Sequence, residues 1–242
     1  MMKETAIGKQ SRSVATQKAL MLAAEKLIAQ KGIENVSIKE IVKASEQKNE
    51  SALQYHFKNL KGLIGAIQNT RNKEIQLKRS ELLQEILALT NNPEVRDICR
   101  LMVMPTFLLA KASPKFRRYV VGFSLQLALA ADSTLTEVVW RGEGVDHRLG
   151  KLLRTALPDL EETIYRQRME STIRLASISM CHHARQKNAF RGTTAEFFVS
   201  SLIDAMTGLL RAPVSEETTA MAKSLSKSRK RTKHDSRKST LR

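Results

Sequence analysis

Little in this chain punctuates or crosslinks a fold. Its 242 residues include only five prolines and ten glycines, and alternating β-branched runs are few. Helix-favouring Ala, Leu, Lys, Glu, Gln and Arg dominate in their place, which predicts an all-α protein. Cysteine is scarcer still. Cys99 and Cys181 stand far apart and form no metal-ligand spacing such as CxxC. They are expected to be reduced structural thiols of a cytosolic protein rather than a disulfide scaffold. Long apolar runs are also missing: a membrane-spanning helix needs about 20 apolar residues, whereas the most apolar stretches, 101–112 and 120–131, fall well short. They are expected to be buried core helices. Residues 1–13 are polar and hold no apolar signal-like segment, so no secretory signal is expected.

What is abundant is positive charge. The net charge is +17 and the sequence pI about 10.1, with 42% hydrophobic residues. That hydrophobic share supports a sizeable core, as one large domain or as a small and a medium one. The charge balance suits a polyanionic partner. It is uneven: residues 223–242 hold nine Lys/Arg against the single acid Asp235, a net +8.

Local patterns divide the chain. Residues 1–12 read as a flexible basic arm carrying Lys3, Lys9 and Arg12. Ala19, Leu20, Ala23, Ala24, Leu27 and Ile28 mark one face of a helix over 14–31, and Gly32 supplies its stop. Ser37 and Glu40 form a capping-box pattern for a second helix, with Ile38, Ile41 and Val42 facing the first. A polar turn leads to a third helix over about 50–55, with Leu53 inward and Tyr55 to Phe57 closing the unit. Asn59 can cap a long helix of about eight turns, which Asn92-Pro93-Glu94 stops while starting another, since proline is favoured in a first helical turn. Later breaks fall near Ser113-Pro114, Gly142, Gly144, Leu157-Pro158 and Gly192, with capping-box patterns at Asp159/Glu162 and Thr193/Glu196. The last two helices are predicted over 160–187 and 194–210, and Pro213 is expected to end the fold.

The segment 37–63, SIKEIVKASEQKNESALQYHFKNLKGL, has the layout of a helix-turn-helix. With the Ala-rich helix before it (LAAEKLIAQKG) and the stretch YHFKNLKGLI, residues 14–67 resemble the DNA-binding region of the TetR family of bacterial transcriptional regulators. The resemblance implies three DNA-binding helices followed by a helical ligand-binding and dimerisation domain. The expected divisions are thus 1–12 arm, 13–67 helix-turn-helix domain, 68–212 regulatory and dimerisation domain, and 213–242 disordered basic tail. It also implies a homodimer that binds a palindromic duplex operator, acting as a repressor that a small molecule releases. The expected setting is the bacterial cytoplasm, on the nucleoid when DNA is bound, with no membrane partner.

Base reading needs short polar groups on an exposed helix, and Asn49, Glu50, Ser51, Ala52 and Gln54 provide them. Thr16, Ser37, Tyr55, His56, Lys58 and Lys61 are candidates for phosphate contacts, which position the helix without reading sequence. The two C-terminal helices would pair with a second copy through Ile173, Leu175, Ala176, Ile178, Phe197, Phe198, Ser201, Leu202, Ala205 and Leu209. Met102, Met104, Phe107, Phe116, Tyr119, Phe123 and Trp140 are adaptable enough to line an effector pocket, although such residues also build ordinary cores. No cofactor or metal is implied: His182 and His183 are neighbours about 100° apart on a helix. No nucleophile triad, phosphate loop or HExxH pattern supports an enzyme. The basic tail reads as a nonspecific DNA tether. The competing expectations are a largely nonspecific DNA-coating protein and a helical enzyme or lipid carrier.

Overall fold

The computed structural model describes residues 2–47, 49–129 and 144–226, and these contain helices and no strand. The first helix, α1, spans Met2–Lys31. Residues 2–12, predicted as an irregular arm, therefore belong to it; no proline interrupts the stretch, and isolated Gly8 is tolerated within a helix. Gly32 ends α1 at φ +82°, its N–H donating to the Ile28 carbonyl at 2.9 Å. After a 3₁₀ turn at Ile33–Asn35 comes α2, Ile38–Ala44. The predicted capping box is present: the Ser37 hydroxyl accepts from the Glu40 N–H, and the Glu40 carboxylate accepts from the Ser37 N–H at 3.0 Å. Helix α3 spans Ser51–Phe57, two residues beyond its expected end. Asn59 caps α4, Leu60–Leu89, by accepting from the Gly62 N–H at 2.9 Å.

The remaining helices are α5 (Val95–Ala112), α6 (Pro114–Leu129), α7 (Val145–Ala156), α8 (Glu162–Arg185), α9 (Gly192–Arg211) and α10 (Glu216–Ser226). Several predicted boundaries shift. Glu94, with Asp97, caps α5, so Pro93 precedes the cap instead of occupying the first turn. Glu161, not Asp159, caps α8, because the helix begins at Glu162 and the Glu161 carboxylate accepts from the Thr163 and Ile164 N–H groups at 2.7 and 3.2 Å. Helix α9 starts at Gly192, which places Thr193 inside the first turn and leaves no capping box there. Pro213 does not end the fold. Helix α10 follows it, burying Ala222 and joining the α8 cap through Ser226, whose hydroxyl donates to Glu161 at 3.0 Å. The part of the tail from 213 to 226 is thus ordered and docked. Residues 227–242, with the rest of its charge, lie outside the described residues, as does Trp140.

Two apolar cores result. The first joins Leu20, Ala24 and Ile28 of α1, Ile41 and Val42 of α2, Leu53 of α3, and Leu63 and Ile67 of α4. The second is built from α5 through α9, with Leu83 of α4. The line between them does not follow the chain. Phe123 of α6 is buried in the first core, and Tyr119, one turn earlier, packs against both. Helix α6 can approach α1 this closely because residue 122 is glycine; a Cβ there would lie 2.9 Å from Ile28 Cγ2 and 3.3 Å from the Ala29 nitrogen.

A buried ion pair crosses the same joint. Arg71 of α4 grips Glu25 of α1 through two bonds of 2.6 and 2.7 Å, and also reaches Glu74 at 3.0 Å. Its guanidinium lies 5.8 Å from the centre of the Phe116 ring. The Glu25 hydrogen bonds hold the Arg71 pKa above its usual value against the opposing effect of burial.

Candidate nucleic-acid interface and effector cavity

Helix α3 is held from one side only. Leu53 is fully buried against α1, α2 and α4, a contribution of about 1.5–3 kcal/mol for a side chain of its kind. With Leu53 inward, Ser51, Gln54 and Tyr55 are exposed, as are Asn49 and Glu50 before the helix and Lys58 and Lys61 after it. Tyr55 is 81% exposed, unusual for an aromatic residue. Ala52 and Thr16 are half-buried at the edge of this surface.

His56 is the exception. Its Nδ1 lies 3.3 Å from Gln17 Nε2 of α1, and its ring meets Tyr55 edge-on at 4.9 Å. It therefore braces α3 on α1 and helps orient Tyr55. Sequence reasoning missed Gln17, because only the packing of α1 across α3 brings these distant positions together. Ser37 is exposed, but its hydroxyl already serves the α2 cap and donates to Glu40 at 2.9 Å. Glu40 also pairs with Lys31 at 2.5 Å; that bond, followed by those from Ser37, lowers its pKa to about 2.

Lys58 has φ +66°, in the left-handed region. Its N–H closes α3 on the Gln54 carbonyl at 3.0 Å, and the sharp reversal after it brings the Asn59 N–H to the Phe57 carbonyl at 2.8 Å. A lysine at this position bears strain that glycine would not. The surface gathered here consists of one short exposed helix, an uncovered tyrosine and two lysines at its C-terminal end. No protein-family model matches the chain, and neither does any curated protein compared with it.

Beneath α6 lies a cavity of about 440 Å³ between α4, α5, α6, α7 and α8. Of the predicted pocket residues, Met102, Tyr119 and Phe123 line it. Met104, Phe107 and Phe116 do not: the two phenylalanines are buried core residues, Phe107 against Phe190, and Met104 packs on the same core. Burial raises the Tyr119 phenol to about 12, with Glu25 adding to the shift, so it is protonated at neutral pH. Arg79 and Asp146 were not anticipated. They pair in the cavity wall, and Arg79 Nε donates to the Leu101 carbonyl at 3.0 Å. Pro105, four residues after Leu101, lacks the N–H that would otherwise take that carbonyl. The arginine is thus fixed by a vacancy in the ladder of α5.

The predicted pairing face of α8 and α9 divides. Ile178, Phe197, Ser201 and Ala205 point outward, with Phe197 72% exposed. Ile173 and Ala176 instead line the cavity, and Leu202 is buried in the second core. Helices α8 and α9 carry apolar residues on both an inner and an outer face, and periodicity alone merges the two. Leu175 and Leu209 are half-buried, and Phe198 stacks on His183 at 3.7 Å. Leu125 and Leu129 of α6 were missed, although both are exposed. Contacts of Cys181 with Val121 and of Arg174 with Ala128 set α6 antiparallel beside α8, bringing Leu125 level with Ile178.

Among the described residues no cluster of His, Cys, Asp or Glu is arranged to hold a metal; His182 is exposed and His183 buried. Both cysteines are free and buried, and burial raises the Cys99 thiol to about 11. No single described helix is long and apolar enough to cross a membrane.

Proposed function

We propose that the chain is a sequence-specific DNA-binding transcriptional regulator of the TetR type, acting as a homodimeric repressor in the bacterial cytoplasm. One observation carries the reading: α3 is anchored through Leu53 and presents Ser51, Gln54 and Tyr55 outward, with Lys58 and Lys61 at its end. A helix held this way can enter a major groove while its flanking cations meet phosphate. Two copies joined through the outer face of α8 and α9 would present two such helices to a palindrome. The cavity gives the dimer a second state. An effector that fills it presses on Tyr119 and Phe123, which also pack on the core beneath α3. The effector then favours one helix spacing over another, and operator affinity changes by population shift.

The test is selection of random duplex DNA at physiological salt by the full chain and by the Tyr55→Ala/Lys58→Ala variant. The proposal expects one palindromic motif, enriched by the full chain alone, with dimerisation retained in both. Failure to enrich any motif sinks it. A second reading, largely nonspecific binding, draws on the +17 charge. A chain ending at Ser226 keeps the docked α10 and separates the two readings: nonspecific binding predicts that most affinity disappears with residues 227–242.

A further inference from the structure

The walls of the cavity specify a class of ligand. Only two charged side chains line it among the described residues, Arg79 and Asp146, and they pair with each other. Asp146 accepts from Arg79 through one oxygen and from Gln76 Nε2 at 3.1 Å through the other. Arg79 adds the bond to Leu101 that Pro105 leaves open. A charged ligand would enter without a counter-ion and lose its hydration for no return.

The remaining walls differ from one another. Helix α4 contributes Gln68, Asn69 and Asn72, and the two asparagines are exposed, so this uncharged polar side forms the mouth. Helices α5 and α8 supply Met102 and the buried Met169 and Met180, α6 the Tyr119 and Phe123 rings, stacked 5.0 Å apart at 24°, with the hydroxyls of Thr106, Ser124 and Ser177 among them. Thioethers and aromatic faces suit a flat apolar body, and carboxamides suit a single hydrogen-bonding end.

We propose that this cavity takes an uncharged, largely apolar aromatic molecule, its polar end at the α4 carboxamides, and that it discriminates against organic anions. The inference rests on the cavity being the effector site proposed above. Two fluorescent probes share one ring system and differ by one sulfonate: N-phenyl-1-naphthylamine is neutral, and 1-anilinonaphthalene-8-sulfonate is anionic. The neutral probe is expected to bind the full chain at least about tenfold more tightly. Ala176→Phe, which fills the cavity from α8, should abolish that binding. Asp146→Asn leaves Arg79 without its carboxylate and should move the preference toward the anion by about tenfold. Asn72→Lys at the exposed mouth keeps the inner pair intact and should move it the same way. Equal or tighter anion binding by the unaltered chain overturns the inference. So does unchanged neutral-probe binding in folded Ala176→Phe, or no change of preference in either charge variant that folds. Operator selection without probes keeps the two proposals separable: a motif enriched by a chain that prefers the anion would leave the regulator reading standing and remove this one.

Discussion

Lys58 combines two demands that usually fall on different residues. Its amino group belongs to the exposed surface at the end of α3, and its backbone occupies a conformation that favours glycine. The two can be separated. Lys58→Gly should raise stability by about 1 kcal/mol while weakening DNA binding and lowering the salt slope by about one ion. Lys58→Ala should weaken binding equally without the gain. Thermal melts read beside operator titrations at several salt concentrations would check both. A second residue carries a pH dependence. Burial holds the His183 pKa below the usual histidine range, with Arg117 and His182 adding to the effect and an Ala189 backbone hydrogen bond opposing it. Its Nε2 has no hydrogen-bond partner among the described residues. The unfolded chain therefore takes up this proton first as pH falls. The resulting stability is full above about pH 6.5 and declines below it, toward the lowered folded value. The melting temperature should drop between about pH 7.5 and 5.5 by more in the native chain than in His183→Phe.

At the scale of elements, the joint between α1, α4 and α6 rests on one glycine and one ion pair. Gly122→Ala should force α6 away from α1 and cost about 1–3 kcal/mol, read by denaturant titration. Arg71→Met should cost about 3–5 kcal/mol, because Glu25 would stay buried without a partner. Adding Glu25→Leu should recover much of that loss; failure to recover would mean that the Phe116 contact, not the pair, matters most. These dependences explain what was legible in the sequence. Ser37, Glu40, Asn59 and the apolar spacing of α1 and α2 act within a few residues, and the helices they predict are present. Glu25 with Arg71, and Gln17 with His56, join residues 46 and 39 positions apart, and no local pattern marks either pair. The capping pattern at Thr193 misled for a related reason: Gly192 at φ +66° lets the chain turn into α9 two residues early.

At the scale of the molecule, Leu125 and Leu129 of α6, Ile178 of α8 and Phe197 of α9 are all exposed apolar side chains. Leu129 is 69% exposed, and an exposed row of this kind asks for cover. If the proposed homodimer forms through this face, Phe197→Glu should give monomers in sedimentation while leaving the helical signal intact, and the monomer should bind a half-site only weakly. Persistence of the dimer would move the pairing face elsewhere. The cavity was legible only as a region. The Met and aromatic content of the middle segment pointed to it, but the ion pair that sets its chemistry depends on α4, α5 and α7 meeting around Pro105.

Phe123 carries a consequence for any attempt to exchange parts. It fills the core of the N-terminal helical unit from a helix that starts well after that unit's last residue in the chain. A fragment cut after residue 67 would carry an open apolar pit where that ring belongs, and a reading head grafted onto another body would inherit the same hole. The proposed operator preference would therefore not be portable as a contiguous piece: a working chimera has to bring the Tyr119–Phe123 turn of α6 along with residues 2–67.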